Sequence, residues 1–248
     1  MELSNKKMLF YGLLGVCAAV TVFLTIRLIN SVIQYKKANN EYASLVTEYV
    51  EETPKKQKVV TTYSGIGTTE VVSSVNTDYV EEVNKFKLPD LTIDFASLVE
   101  VNKDCIGWIY VPGTRINYPV VQSSDNIDYV SKTYSGQENI AGCIFSDCRI
   151  VSPFTQKTIL YGHNMKNGTM FHDLFSIEKN SDLKDIWILM CNGTVYHYTV
   201  DAVKRVDMLD KDVYSIASTY DDTLVLSTCI KDTSRLVVIA KRDWYYFT

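Results

Sequence analysis

The chain has 248 residues, 46% apolar and 22% charged, with 25 Lys+Arg against 29 Asp+Glu for a formal net charge of −4. That length suits one compact domain with extensions or two small ones, and the composition excludes collagen-like, disordered and mini-protein classes. A mildly acidic balance without a run of like charges leaves no electrostatic footprint for nucleic acid, so no DNA or RNA partner is expected.

In chain order, Met8 to Ile26 comes first, 19 consecutive residues without a charge. As a helix this run is about 28 Å long, close to the ~30 Å hydrocarbon core of a bilayer. Lys6 and Lys7 precede it, which under the positive-inside rule keeps the N-terminus cytoplasmic and sends the rest of the chain outside. The run is long for the apolar core of a signal peptide, and no A-x-A-like site follows it, so an uncleaved single-pass anchor is expected. Beyond it, Tyr35, Ala38, Tyr42, Leu45 and Tyr49 recur at alternating spacings of three and four, the stripe of a helical stalk that packs within the molecule. Thr53-Pro54 ends the stalk, and Lys55 to Asn76 reads as a linker. The expected organisation is a cytoplasmic tail over 1–7, a transmembrane anchor over 8–30, an extracellular stalk and linker over 31–86 and a folded domain over 87–248.

After Pro89 the texture changes to short β-rich runs between turn signals. Asp94 to Asn102 predicts a short helix. Gly107 to Val111 and Ile116 to Gln122 predict a hairpin around Pro112-Gly113. Further strands are expected at Gly142–Phe145, Thr158–Tyr161, Ile186–Cys191, Val195–Val200, Thr223–Cys229 and Arg235–Lys241. Asn192-Gly193 predicts a two-residue type I′ turn. About eight strands with short helices between them indicate a mainly β, closed or nearly closed eight-stranded barrel.

Six cysteines are present; Cys17 lies in the membrane run, and the other five are an odd number, so at least one stays free or pairs between chains. Cys143 and Cys148 fall on opposite faces of a strand-like stretch, a poor geometry for shared zinc, and no metal is expected. Of the three histidines, His197 alternates with tyrosines inside a predicted strand and reads as structural, and His172 reads as a surface or capping residue. His163 ends the strand-like run TILYGH on a loop, where catalytic groups are often mounted. Cys229 closes the strand TLVLSTC, and a loop over Ile230 to Ser234 leads into a strand that begins at Arg235. Pairing of those two strands sets Cys229 nearly opposite Arg235 at one rim of the barrel. A thiol beside an imidazole that can take its proton is a nucleophile, and the guanidinium fork can hold a carbonyl or an oxyanion.

At these residues the chain resembles a known family. LYGHNM (Leu160 to Met165), LSTC (Leu226 to Cys229) and the following Arg235 resemble the signature of sortases, membrane-anchored cysteine transpeptidases of Gram-positive bacteria. The stretch Asn102 to Gln122, followed by Asp125-Asn126 and Tyr129, is similar to class B in particular. The resemblance covers roughly Asp90 to Lys241 and implies a sortase-type barrel behind an N-terminal transmembrane helix and stalk. It implies that Cys229 attacks the Thr–X carbonyl of a C-terminal sorting-signal pentapeptide in a surface-protein precursor and forms a thioacyl enzyme. His163 would protonate the leaving amine, and Arg235 would hold carbonyls and the oxyanion. Asn117, Val121, Tyr161, Ser227 and Thr228 match positions along the family's peptide groove. No cofactor is implied. The acceptor would be a peptidoglycan amine or, in a pilin-polymerising variant, a pilin Lys; a reading of another class is a non-catalytic membrane-tethered scaffold. The chain departs from class B in having only sixteen residues, Asp207 to Asp222, where a long helix is usual, and in a short Cys-to-Arg spacing.

Overall fold

The computed structural model describes residues 2–52, 89, 91–216 and 221–247. Helix α1 runs unbroken from Glu2 to Tyr49. Its apolar first half, with Phe10, Leu14, Phe23 and Ile29 all exposed, is long and apolar enough to cross a membrane. Its second half behaves differently because its apolar residues form a stripe. Ala38, Tyr42 and Leu45 are buried in the core, with Tyr35 and Tyr49 packed beside them. Tyr42 stands edge-on to Tyr118 at 5.4 Å and its hydroxyl donates to the Gly142 carbonyl. Each such aromatic buries apolar surface worth about 1.5–3 kcal/mol, which makes the stalk part of the domain's packing. The linker expected over 55–76 lies outside the described residues.

Strand β1 (Val50–Glu52) continues the stalk and pairs antiparallel with β2 (Leu91–Ile93). Asp94 then caps helix α2 (Phe95–Val101) by accepting from the Ser97 N–H at 3.1 Å. The strands that follow are β3 (Cys105–Tyr110), β4 (Asn117–Val121), β5 (Ile144–Ser146), β6 (Thr158–Tyr161), β7 (Asp185–Met190), β8 (Thr194–Asp207), β9 (Thr223–Lys231) and β10 (Ser234–Phe247). They close into one eight-stranded barrel in the order β10-β8-β7-β3-β4-β5-β6-β9. The pairs β4–β5 and β6–β9 are parallel and the remaining pairs antiparallel. Short helices α3 (Asp128–Ser131), α4 (Leu174–Lys179) and α5 (Lys211–Tyr214) and one 3₁₀ turn (Phe171–Asp173) lie between strands. Among the described residues, Trp108, Tyr134, Tyr198, Phe154 and Phe171 are the largest fully buried side chains.

The Pro112-Gly113 turn forms as the sequence indicates, with Gly113 at φ 76° and the Thr114 N–H donating to the Val111 carbonyl. The turn at Asn192-Gly193 does not. Gly193 has φ 85° but Asn192 lies outside the positive-φ region, and the Gly193 N–H donates to the Met190 carbonyl at 3.0 Å. The loop is therefore a three-residue one, Cys191 to Gly193, of the type I plus bulge kind rather than type I′. Asn192 uses its side chain instead, accepting from the Thr194 N–H at 3.0 Å. Both β8 and β10 are 14 residues long, about twice the expected spans, because each stabilises the other along most of its length.

Candidate active site

Strand β9 buries Thr223 to Thr228 and then surfaces, so Cys229 is its first exposed residue. The chain turns back through Asp232, at φ 43°, and Thr233, with Ser234 paired to Lys231. The five-residue loop expected over Ile230 to Ser234 is thus a two-residue turn. Arg235 pairs directly with Cys229 because the register shifts by one between Ser234 and Arg235, leaving Ile230 as a bulge. Directly paired residues share a face, so thiol and guanidinium emerge on the same side of the hairpin. The Arg235 Nη1 donates to the Asp232 carbonyl at 2.8 Å and the Ser234 carbonyl at 3.1 Å, and Nη2 lies 3.8 Å from the Met208 sulfur.

His163 reaches the same place from β6. That strand runs parallel to β9 with Tyr161 beside Ser227, so both strands deliver their C-terminal ends to one rim. The His163 Nε2 is 2.8 Å from the Val130 carbonyl oxygen. A carbonyl only accepts, so Nε2 carries the hydrogen and Nδ1 is the basic nitrogen of the neutral ring. Asn164 ties this loop to the nucleophile strand, donating from Nδ2 to the Cys229 carbonyl at 3.0 Å while its Oδ1 accepts from the His172 Nδ1 at 2.8 Å. His172 is therefore an orienting group for the loop and more than a cap, which the sequence does not show because Asn164 and His172 meet only through the intervening turn.

His163, Cys229 and Arg235 line one groove of about 750 Å³. Tyr161, Ser227 and Thr228 line it too. The Ser227 hydroxyl lies 2.9 Å from the Tyr214 hydroxyl, and the Thr228 hydroxyl donates to the Gly162 carbonyl at 2.7 Å. Asn117 and Val121 are not in the lining. Both sit on β4, which β5 and β6 separate from β9. Asn117 accepts from the Trp108 indole N–H at 2.6 Å, and Val121 is fully buried.

One pairing along the groove escaped the sequence reading. Arg149 lines it and grips the buried Asp147 with two bonds, Nε at 2.9 Å and Nη2 at 2.7 Å. The Tyr161 hydroxyl donates to the same carboxylate at 2.8 Å. Burial opposes charge on Asp147, but these donors and the Arg149 backbone N–H hold its carboxyl down at about 2. Burial and the Asp147 charge push the Tyr161 phenol well above its ordinary range, so it stays a neutral donor. An Asp at the start of a turn is the local signal: the Asp147 carboxylate accepts from the Arg149 backbone N–H at 3.0 Å, an Asx-turn that brings the two side chains together. Among the other thiols Cys143 is buried and pushed up to about 12 by that burial, the reverse of an activated nucleophile.

Comparison with known proteins agrees with this architecture. The sortase domain family matches residues 109–243. Sortase B of Listeria monocytogenes is 45% identical over 82 residues, a third of each chain. Sortase B of Staphylococcus aureus is 32% identical over 181 residues, covering 59% of this chain and 73% of that protein. Among solved structures, a Streptococcus pyogenes class B sortase involved in pilus biogenesis superposes with a TM-score of 0.56 at 25% identity, over 60% of this chain and 98% of that one. The domain match, the class B relatives and the shared barrel establish that this chain belongs to the sortase family and is class B-like.

Proposed function

We propose that the chain is a cysteine transpeptidase that cleaves the Thr–X bond of a C-terminal sorting signal and passes the acyl group to an amine of cell-wall peptidoglycan. The observation that carries this reading is the direct pairing of Cys229 with Arg235 beside the His163 loop, all three on one groove. In the first step His163 takes the Cys229 thiol proton, the sulfur bonds to the threonine carbonyl carbon, the C–N bond breaks, and the amine leaves with that proton from His163. In the second step the acceptor amine attacks the thioester, His163 takes its proton, and the Cys229 sulfur departs. Arg235 stabilises the oxyanion in both steps, a contribution of ~3–4 kcal/mol for one preorganised donor. The thioester keeps the acyl group activated, so the residues of the groove suffice for the transfer.

The stalk and the apolar half of α1 support a single-pass anchor over 8–30, with the tail 1–7 inside and the catalytic domain 87–248 outside. A pilin Lys as acceptor is a second reading, favoured by the pilus role of the Streptococcus pyogenes relative. An inert scaffold is the reading of another class. Incubating the full chain in detergent with sorting-motif peptides and following Cys229 by mass spectrometry tests the proposal. A thioacyl adduct on Cys229 that amines discharge is expected; a groove thiol that reacts with no peptide and with alkylators no faster than the other cysteines would refute it. Competition between peptidoglycan-type amines and a Lys peptide separates the two acceptors.

A further inference from the structure

The barrel holds a second cysteine site at its other end. Ser234 pairs with Asp207 at one end of the β8–β10 ladder and Phe247 with Thr194 at the other, so the β7–β8 turn carrying Cys191 lies at the end opposite the Cys229 turn. Cys105 opens β3, the strand paired with β7. The two strands approach closely there, since a side chain on Gly107 would meet the Leu189 carbonyl oxygen at 2.5 Å. The Cys191 N–H donates to the Ile106 carbonyl at 3.3 Å, and the Cys191 and Cys105 sulfurs stand 3.8 Å apart, although the residues are 86 positions apart in sequence. Neither lines the groove.

We propose that Cys105 and Cys191 are a vicinal thiol pair that closes into a disulfide on meeting an exogenous disulfide, clamping β3 to the β7–β8 turn without touching the groove. Sulfurs at 3.8 Å reach bonding distance, about 2.05 Å, by side-chain rotation on a backbone already held together by a hydrogen bond. The half-buried Cys191 is the entry point, and the buried Cys105 the resolving thiol. The Cys191 sulfur displaces one thiol from the incoming disulfide and forms a mixed disulfide, losing its proton. The Cys105 thiolate then attacks the Cys191 sulfur, the S–S bond to the reagent breaks, and the second thiol leaves. Two thiols are oxidised to one disulfide, and the reagent disulfide is reduced to two thiols. The sulfur–sulfur hydrogen bond lowers Cys105 and raises Cys191 only while both thiols are free; once Cys191 carries the reagent, the 3.8 Å separation is what delivers Cys105 to it. An extracytoplasmic domain meets oxidants of this class; that encounter rests on the outward placement proposed above, whereas the geometry of the pair does not.

The test supplies the oxidant directly, so a wrong membrane orientation cannot masquerade as a wrong pair. The full chain in detergent, as wild type and with Cys229→Ala to remove the groove thiol, is treated with oxidised glutathione, alkylated, and digested without reduction. The expected product is a Cys105–Cys191 linked peptide pair, lighter than the two reduced peptides by two hydrogens and released by reductant. A loop of this length closed by a disulfide is expected to raise the melting temperature by roughly 5–15 °C. Wild-type turnover after oxidation and reduction of any Cys229 adduct by a mild thiol should stay within about twofold of the start. Cys191→Ser should lose the linkage and the thermal shift. Separate glutathione adducts on the two residues, unreacted thiols at both, or pairing of Cys105 with Cys143 would each overturn the proposal; the linked peptide in the Cys229→Ala chain decides the matter even if Cys191→Ser fails to fold.

Discussion

Two hairpins of the same barrel each carry a cysteine, and they use it in opposite surroundings. The β9–β10 hairpin brings Cys229 to the surface at the end of a buried run and sets it across from a cation, with the His163 loop tied to it through Asn164. The β7–β8 hairpin keeps Cys191 half-buried against another thiol, at the first position of a turn whose shape Gly193 sets. The lesson is that a strand-end thiol becomes a candidate nucleophile through what stands opposite it and through what lies open above it. Strand propensity alone does not distinguish the two positions.

The comparison predicts a ladder of effects. Replacing the groove thiol or its proton carrier should cost most. Cys229→Ala is expected to abolish adduct formation and peptide cleavage with the fold intact. His163→Ala is expected to remove nearly all turnover and flatten the pH–rate profile, since the group that carries the proton to and from the reacting amine is gone. Chromatographic peptide cleavage measured across pH checks both. Above a few per cent residual turnover in Cys229→Ala, the nucleophile would have to be sought in the other hairpin or at Cys143.

Arg235→Lys comes next. It keeps the charge but loses the fork, and turnover should fall by roughly 10²–10³ with the pH optimum in place. A shift of that optimum by more than about one unit would mean that the guanidinium acts mainly on the ionisation of its neighbours. Asn164→Ala should cost about tenfold in kcat with KM nearly constant, because it loosens the tie between the His163 loop and the Cys229 strand without removing a reacting group. An unchanged kcat would show that the loop holds its position through its other bonds, among them the Phe171 N–H to the His163 carbonyl and the Thr228 hydroxyl to the Gly162 carbonyl.

The smallest effect belongs to the turn far from the groove. Gly193→Ala places a Cβ at φ 85° and should lower stability by about 1–2 kcal/mol, a melting shift of a few degrees, while kcat stays at the wild-type value. Thermal unfolding beside peptide turnover separates the two readouts. Loss of turnover at constant stability would join the two ends of the barrel that the geometry keeps apart.

Much of the candidate site was legible because its signals are local. His163 and Cys229 each close an apolar run, and Arg235 opens the next one. The Arg149 grip on Asp147 was missed because its meaning depends on Asp147 being fully buried beside Tyr161. Asn117 and Val121 were expected along the groove, and the structure sets them two strands away from β9's neighbour β6, across β5.

By itself the sequence determined the apolar run of α1, the stripe that packs the stalk, the positions of all eight barrel strands and the residues available for chemistry. These follow from periodicity, turn residues and uninterrupted apolar length, which act over a few positions along the chain. Only the tertiary structure decided the rest. Five residues separate Cys229 from Arg235, and that interval can be an open loop, a three-residue turn with one pair, or a two-residue turn with one pair and a bulge. The pairing of Leu236 with Thr228, and of the rest of β10 with β9, selected the last of these. The same long-range pairing stretched β8 and β10, moved the Asn192 turn out of type I′ and brought Cys105 to Cys191. Register is set where buried faces of distant strands must match, and that information belongs to no single segment.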